Sequence, residues 1–173
     1  MIEQTLVVLK PDVAERSLIG AVLGVFEAAH LKIIGLDMRM VKSEFVATHY
    51  PDSLAETLGK KSERAGEKVN DYVAQGMRVL TWNRTYLTRG PVIALILEGE
   101  DAVKKTRAIT GYTDPVDAGK GTIRGDFGVD SILKANLENR AVENLIHASG
   151  SVEEAKGEIG LWFGSPDYRC ALI

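Results

Sequence analysis

Cysteine is almost absent from this sequence of 173 residues. The single Cys170 has no partner for an intramolecular disulfide, so we expect a fold without covalent cross-links in a reducing compartment. No apolar run is long enough to span a membrane, and the N-terminal run is also too short for a secretory signal. The sequence therefore predicts a cytoplasmic protein with no membrane partner.

Basic residues do not outnumber acidic ones in this sequence. Twenty-one Lys and Arg residues stand against 24 Asp and Glu, which gives a net charge of −3 without a basic tail or block. This balance argues against binding along nucleic acid, but it is compatible with a local basic pocket for one small polyanion. A hydrophobic content of 45% in a chain of this length predicts one domain with a substantial core.

Apolar patterns indicate strands that alternate with helices. Continuous apolar runs at 5–10 and 92–97 predict buried strands, and the β-rich segment 31–41 predicts a half-exposed one. Helical spacing of apolar residues predicts a helix over 18–29, and Asp101 is expected to cap a second helix that runs to Ile109. The chain is therefore expected to be an α/β protein.

Two segments are less regular. Within 52–89 we predict a helix from about Ser62 to Gln75, ending near Gly76, and then a hairpin or loop over 79–86. The glycine-rich loop 111–128 is long for a simple connection and favours a functional site. Its Gly119-Lys120 pair is not a phosphate-binding P-loop, because the first glycine and the hydroxyl residue of that motif are missing.

One histidine lies at the end of a short apolar run, directly before a helix. His147 is followed by Ser151 and Glu154 in a capping-box pattern, and the helix then carries Glu158 about two turns on. A carboxylate in that position could orient the imidazole so that one ring nitrogen acts as a nucleophile. The alternative is a hydrogen-bonded core histidine, which the segment taken alone favours.

Cations and neutral donors lie at the predicted ends of several elements. They would suit a triphosphate, because phosphoryl transfer depends mainly on positioning and charge stabilisation. Taken singly, each Lys or Arg more often occupies a solvated surface position, and only the whole set favours a phosphate site. The set comprises Lys10, Tyr50, Arg107, Thr113, Arg124 and Asn144.

The ordered motifs of the chain resemble the nucleoside diphosphate kinase family. They are Thr-Leu-Val-Val-Leu-Lys-Pro-Asp at 5–12, His-Tyr at 49–50, Gly-Pro-Val at 90–92, Gly-Tyr-Thr-Asp-Pro at 111–115, Gly-Thr-Ile-Arg-Gly-Asp-Phe at 121–127, Asn-Leu-Ile-His-Ala-Ser at 144–149 and the run 151–163. With the segments between them they cover roughly two-thirds of the chain, far more than a lone motif.

The resemblance implies a ferredoxin-like βαββαβ sandwich with an antiparallel sheet. The implied domain spans 1–173, with insertions at about 51–89 and 130–142. The implied reaction is a ping-pong transfer in which a nucleoside triphosphate phosphorylates His147 and a nucleoside diphosphate then accepts the group. Mg²⁺ would be bound by the nucleotide phosphates rather than by a site made of protein alone, and a homo-oligomer, a tetramer or hexamer built from dimers, is implied as well.

By matching position, the resemblance also assigns roles. Glu158 would orient His147, Ser149 would support Glu158, and Lys10 and Tyr50 would assist catalysis. The nucleotide-binding set would be Lys10, Tyr50, Leu58, Arg107, Thr113, Arg124 and Asn144. Leu58 stands where the family has an aromatic residue against the base, so Leu58 packs on the base or one of Tyr72, Trp82 and Tyr86 replaces it.

Four positions depart from the family pattern. They are Val13, Asp114, Ala148 and Gly150, and Asp114 adds a negative charge near the expected phosphate site. The two insertions and the altered nucleotide lid support an alternative hypothesis: a catalytically weak nucleotide-binding or scaffold protein on the same fold. Retention of His147, Glu158 and the matched phosphate ligands favours the enzyme.

Overall fold

A four-stranded antiparallel sheet forms the centre of the protein, in the order β2-β3-β1-β4. The computed structural model describes residues 2–164, so Cys170 lies outside the described part. The strands are β1 (Ile2–Leu9), β2 (Lys32–Arg39), β3 (Val92–Glu100) and β4 (Ile146–Ala148). β1 and β3 occupy the middle of the sheet because their apolar runs can be buried on both faces.

Helices cover both faces of this sheet. They are α1 (Pro11–Glu15), α2 (Ile19–Ala28), α3 (Ser43–His49), α4 (Ala55–Arg64), α5 (Tyr72–Thr88), α6 (Ala102–Thr110), α7 (Ile123–Phe127), α8 (Ile132–Leu137) and α9 (Val152–Phe163). Two short 3₁₀ helices lie at Asp52–Leu54 and Pro115–Asp117. Between residues 2 and 164, no helix is both long and apolar enough to cross a bilayer.

Each face of the sheet has its own hydrophobic core. On one face Val7 and Leu95 pack with Phe26 of α2, whereas on the other Leu6 and Ile96 belong to the core that contains Trp162 of α9. The order β1-α2-β2-β3-α6-β4 with this strand arrangement is the ferredoxin-like βαββαβ sandwich, so the predicted fold class is confirmed.

The segment 52–89 differs from the prediction. Instead of one helix over 62–75 and a hairpin at 79–86, α4 and α5 form a helical hairpin with a turn between Arg64 and Tyr72. Asp71 begins α5 by accepting a hydrogen bond from Ala74 N. Gly76 lies inside α5, where an added Cβ would come within 1.7 Å of Ala55 O, so this glycine allows close helix packing and does not end a helix.

The second half of β2 exposes two apolar side chains, whereas Ile33 and Ile34 in its first half pack against the two cores. Leu36 and Met38 are 54% and 52% exposed, whereas Asp37 and Arg39 are half-buried and form an ion pair at 3.2 Å. The alternation predicted from sequence is present, but the apolar face is the one left open. This strand is also the outer edge of the sheet, next to β3 alone.

Candidate active site

His147 is held at the edge of the sheet by the shortest strand. β4 pairs with β1 in the register Val8 to His147, and the chain then turns into α9. Ser151 begins α9 by accepting a hydrogen bond from Glu154 N at 3.1 Å, as the capping pattern predicts. The Glu154 carboxylate accepts from Gly150 N, one residue before the expected partner. This tight turn brings the second turn of α9 back over His147.

Glu158 contacts His147 directly. Its Oε1 lies 2.6 Å from His147 Nε2, and its Oε2 accepts a hydrogen bond from Ser149 Oγ at 2.5 Å. Burial alone would raise the pKa of Glu158, but the hydrogen bond from His147 and the charges of the neighbouring histidines hold it below its usual value. An ionised Glu158 accepts the Nε2 proton, which leaves Nδ1 of His147 with the free electron pair.

A second histidine packs against the first. The His49 ring lies edge-on to His147 at 4.6 Å between centroids, and Trp162 Nε1 donates a hydrogen bond to His49 Nδ1 at 3.3 Å. Burial, followed by the charge of His147, lowers the pKa of His49 to about 3, so this ring is neutral at physiological pH. Sequence reasoning used His49 only as part of a motif and assigned it no place in the site.

One group of described residues could hold a metal ion. Ligand atoms of His49, His147 and Glu158 lie within 4.8 Å of one another. The Nε2 atom of His147 and the Nδ1 atom of His49 already hydrogen-bond to Glu158 and Trp162. The arrangement therefore orients a nucleophile, and a metal bound there would compete with that role.

A cleft of about 420 Å³ opens beside His147. Every residue of the predicted nucleotide-binding set lines it, whereas Ser149 and Glu158 are not part of the lining. Four cations face the cleft: Lys10, Lys61, Arg107 and Arg124. Glu154 is the only carboxylate of the lining in the described chain, so the cleft is electrostatically suited to a polyanion.

Lys10, Asn144 and Thr113 form a chain of hydrogen bonds across the cleft floor. Lys10 Nζ donates to Asn144 Oδ1 at 2.6 Å, and Asn144 Nδ2 donates to the carbonyl of Thr113 at 2.9 Å. Burial, and secondly the charge of Arg124, lower the pKa of Lys10 to about 7. Lys10 is thus fixed in place and available to receive a proton when an anion arrives.

The two arginines differ in their freedom. The buried Arg124 donates to the carbonyl groups of Gly111, Asn144 and Ile146, which ties the long loop to β4. Burial lowers its pKa to about 10, which still leaves it charged at neutral pH. Arg107 is exposed at the end of α6, and its guanidinium group forms no hydrogen bond with any residue in the described range. Neither guanidinium is neutralised by a carboxylate contact.

Tyr50 follows α3 and lines the cleft near the nucleophile. Its ring centroid lies 6.0 Å from that of His147, and its carbonyl accepts two hydrogen bonds from Arg84. Burial, with the charge of Glu158 second, raises the pKa of Tyr50, so the phenol keeps its proton. A protonated hydroxyl at this wall is a neutral donor.

One part of the cleft lining comes from the segments 51–89 and 130–142. Leu58 of α4 belongs to this part, whereas Tyr72, Trp82 and Tyr86 are not in the lining. Tyr72 instead hydrogen-bonds to Glu63, and Trp82 and Tyr86 belong to the core around α5 and α9. Sequence reasoning did not find the other lining residues of these segments, which are Leu54, Thr57, Lys61, Ser62, Val79, Asn83, Ile132, Asn136, Ala141 and Val142.

Asp114 was expected to place a negative charge near the phosphate site, but it lies elsewhere. Its carboxylate accepts hydrogen bonds from Val116 N and from Ile132 N, at the start of α8, and it does not line the cleft. Burial raises its pKa. The side chain therefore anchors the segment 130–142. Val13 lies in the core, while Ala148 and Gly150 line the cleft.

A buried polar network joins the segments 51–89 and 130–142. Asn136 of α8 donates to Ser62 Oγ at 2.9 Å and to Glu67 Oε2 at 2.7 Å, and Gln75 of α5 also donates to Glu67 at 2.7 Å. Ser62, Gln75 and Asn136 are all at most 8% exposed. Since buried polar groups need partners, the network fixes the α4–α5 hairpin against α8.

Comparison with known proteins agrees with this geometry. The family model described as nucleoside diphosphate kinase matches residues 3–64 and 67–168. A nucleoside diphosphate kinase from Clostridium perfringens is 38% identical, over 97% of this chain and 96% of the relative. A crystal structure of an NDP kinase from Pyrobaculum aerophilum superposes with a TM-score of 0.88 at 35% identity, covering 94% and 96% of the two chains.

A further solved structure shows a relative in the course of its reaction. It is a transition-state mimic of nucleoside-diphosphate kinase from Borrelia burgdorferi with bound vanadate and ADP, with a TM-score of 0.80 at 29% identity over 94% of this chain and 87% of the relative. Such a nucleotide-bound relative is consistent with a divalent metal cofactor. From the family match, the curated relatives and the fold, this chain belongs to the nucleoside diphosphate kinase family.

Proposed function

We propose that this protein transfers the terminal phosphate of a nucleoside triphosphate to a nucleoside diphosphate through a phosphorylated His147. The observation that carries the proposal is a histidine whose Nε2 is held by Glu158 while its ring lines a cleft with four cations. The same cleft serves both half-reactions, because the leaving product of the first and the acceptor of the second are both nucleoside diphosphates.

In the first half-reaction, Nδ1 of His147 attacks the terminal phosphorus, and the bond from phosphorus to the bridging oxygen breaks. The nucleoside diphosphate leaves with that electron pair. Glu158 stabilises the positive charge that develops on the imidazole, and Ser149 holds the second oxygen of Glu158. In the second half-reaction a terminal oxygen of another diphosphate attacks phosphorus, and the bond to Nδ1 breaks.

The cations and donors of the cleft position the phosphates. Lys10, Arg107 and Arg124 supply positive charge, and Tyr50 and Thr113 supply neutral hydroxyl donors. Asn144 lies between Lys10 and Thr113 and would bind the sugar and phosphate end of the nucleotide. Leu58 would pack against the base, since it lines the same cleft.

Mg²⁺ fits this site as a companion of the nucleotide. The single lining carboxylate of the described chain, Glu154, already accepts a hydrogen bond from Gly150 N, so the residues present do not form a carboxylate cage. The phosphates themselves would provide its ligands, and the ion would neutralise charge on the transferred group.

We also propose a single domain over 1–173 that works in the cytoplasm and binds neither nucleic acid nor membrane, with α4–α5 and α8 as insertions at about 51–89 and 130–142. We further propose a tetramer or hexamer built from dimers. Support for the dimer comes from the edge strand β2, which exposes Leu36 and Met38 and pairs with no strand other than β3 within the described residues 2–164. Light scattering of the purified protein measures the assembly.

The test of the central proposal is intact-protein mass after incubation with ATP and Mg²⁺. We expect wild type to gain one acid-labile phosphoryl group and to lose it when a second nucleoside diphosphate is added. His147→Ala should gain none. His30→Asn is the matched control, because His30 is exposed and its φ of 59° is accepted by asparagine.

Failure of labelling would change the conclusion. If wild type binds ATP but gains no phosphoryl group, the protein is a nucleotide-binding or scaffold member of the fold. If His147→Ala is labelled as well, another residue carries the phosphoryl group.

A further inference from the structure

Like Arg107, Lys61 is a cation of the cleft whose charged group has no hydrogen-bond partner among the described residues. Lys61 lies on α4 and lines the cleft, yet its ammonium group forms no hydrogen bond or close ion pair with any residue in the described range 2–164. Its neighbour Lys60 points outward, with 49% of its side chain exposed and an ion pair to Glu56 at 2.6 Å. Two adjacent lysines of one helix thus have opposite surroundings.

The charges around Lys61 are unfavourable to it. Burial lowers its pKa, and the nearby Arg124 and Arg107 lower it further, while Glu154 has a smaller opposite effect. Arg64 of the same helix also acts against the charge. An ammonium group that faces two guanidinium groups across a partly buried cleft is destabilised unless an anion comes between them.

The position of Lys61 is fixed by its neighbours along the chain. The next residue, Ser62, accepts a hydrogen bond from Asn136 of α8, and the previous turn contributes Leu58 to the same cleft. Gly59 packs directly on Tyr72 of α5, where an added Cβ would lie 2.0 Å from the Tyr72 carbonyl oxygen. The helix is therefore held with Lys61 toward Arg107 and Arg124.

We propose that Lys61 is a phosphate-binding residue of the nucleotide site, contributed by the insertion at 51–89. This inference about Lys61 rests on the proposed function, because it assumes that the cleft binds a nucleotide. In this arrangement α4 covers the phosphates from the side opposite Arg107 and Arg124, so the bound diphosphate removes the repulsion among the three cations. The insertion then takes part in substrate binding and is more than surface elaboration.

The experiment compares Lys61→Met with Lys60→Met, which removes the same charge from the same helix. Binding of ADP and of adenosine is measured by titration calorimetry. We expect Lys61→Met to weaken ADP binding roughly ten- to a hundredfold, the usual effect of one charged hydrogen bond. Lys60→Met should change it less than about twofold, as for an exposed ion pair. Adenosine affinity should be the same in all three proteins.

Two further measurements separate a binding role from a structural one. Lys61→Arg should restore most of the ADP affinity, because it returns a cationic donor. Without nucleotide, Lys61→Met should melt at or above the temperature of wild type, since it removes an unfavourably placed charge. A lower melting temperature for Lys61→Met with ADP and adenosine affinities weakened alike would overturn the proposal.

The outcome is independent of catalysis, because calorimetry needs no turnover. Wild type that binds ADP through Lys61 without becoming phosphorylated would refute the proposed kinase activity alone. Equal ADP affinity of wild type and Lys61→Met would refute the role of Lys61 alone. Wild type that binds no ADP would refute both.

Discussion

The charge of Glu158 is expected to act mainly in the transition state. As Nδ1 of His147 bonds to phosphorus while Nε2 keeps its proton, the imidazole becomes cationic, and Glu158 lies 2.6 Å from it with a side chain only 12% exposed. Glu158→Gln keeps both hydrogen bonds, because the amide oxygen faces His147 and the Ser149 hydroxyl rotates to accept from the amide nitrogen. Only the charge is lost.

The size of the effect follows from the strength of that contact. Hydrogen bonds to charged groups contribute about 1.5–3 kcal/mol and neutral ones about 0.5–1.5 kcal/mol. A difference of about 1–1.5 kcal/mol slows phosphorylation roughly tenfold. Glu158→Ala also leaves the Nε2 proton without an acceptor, so we expect a loss of roughly a hundredfold.

The assay is rapid-quench measurement of phosphohistidine formed from ATP in a single turnover. Glu154→Gln is the matched control, because Glu154 lies one turn earlier on α9 and lines the cleft without contacting His147. Nucleotide affinity should be unchanged in Glu158→Gln, since this side chain is not in the cleft lining. A wild-type rate for Glu158→Gln, or an equal loss in Glu154→Gln, would refute the reasoning.

Two further predictions concern Lys10 and Gly76 of α5. The pKa of Lys10 is about 7, and bound phosphates should raise it. The resulting gain in ADP affinity is therefore complete below about pH 7 and is lost as the pH rises through the higher pKa of the ADP complex. At about pH 8, calorimetry in buffers of different ionisation enthalpy should show proton uptake that Lys10→Met abolishes, and no uptake by wild type would contradict this. Gly76→Ala places a Cβ 1.7 Å from Ala55 O and should lower the free energy of unfolding by about 1–3 kcal/mol or more. Gly24→Ala, with no atom within 4 Å, should raise it by about 0.5–1 kcal/mol, and equal urea midpoints for the two variants would be the contrary result.

Local patterns in the sequence were sufficient for the regular elements. The runs of β1 and β3, the spacing in α2 and the cap at Ser151 are signals within a few residues, and each element appears where predicted. The helical hairpin α4–α5 was missed because Gly76 was interpreted as the end of a helix, although Gly59 and Gly76 both allow the two helices to pack closely.

The candidate site could be predicted only in part. The order and identity of the motifs predicted that His147, Glu158 and the residues expected to bind phosphate lie near one another, because a family resemblance carries information about convergence that spacing lacks. His49 was used only as part of a motif and was assigned no place in the site, whereas Lys61 and Asn136 reach the cleft from the segments 51–89 and 130–142, which carry no motif. The anchoring role of Asp114 depends on α8, eighteen residues further along the chain.

The network of Ser62, Glu67, Gln75 and Asn136 makes two distant parts of the chain mutually dependent. Glu67 and Asn136 are separated by 69 positions, yet the Asn136 amide donates a part-buried hydrogen bond to the Glu67 carboxylate. Removal of the segment 51–89 alone would leave the buried Asn136 amide without Ser62 and Glu67, and removal of 130–142 alone would take one donor from each of these two residues. Buried polar groups that lose partners are costly. In protein engineering, the two segments would have to be deleted or transplanted together as one exchangeable module.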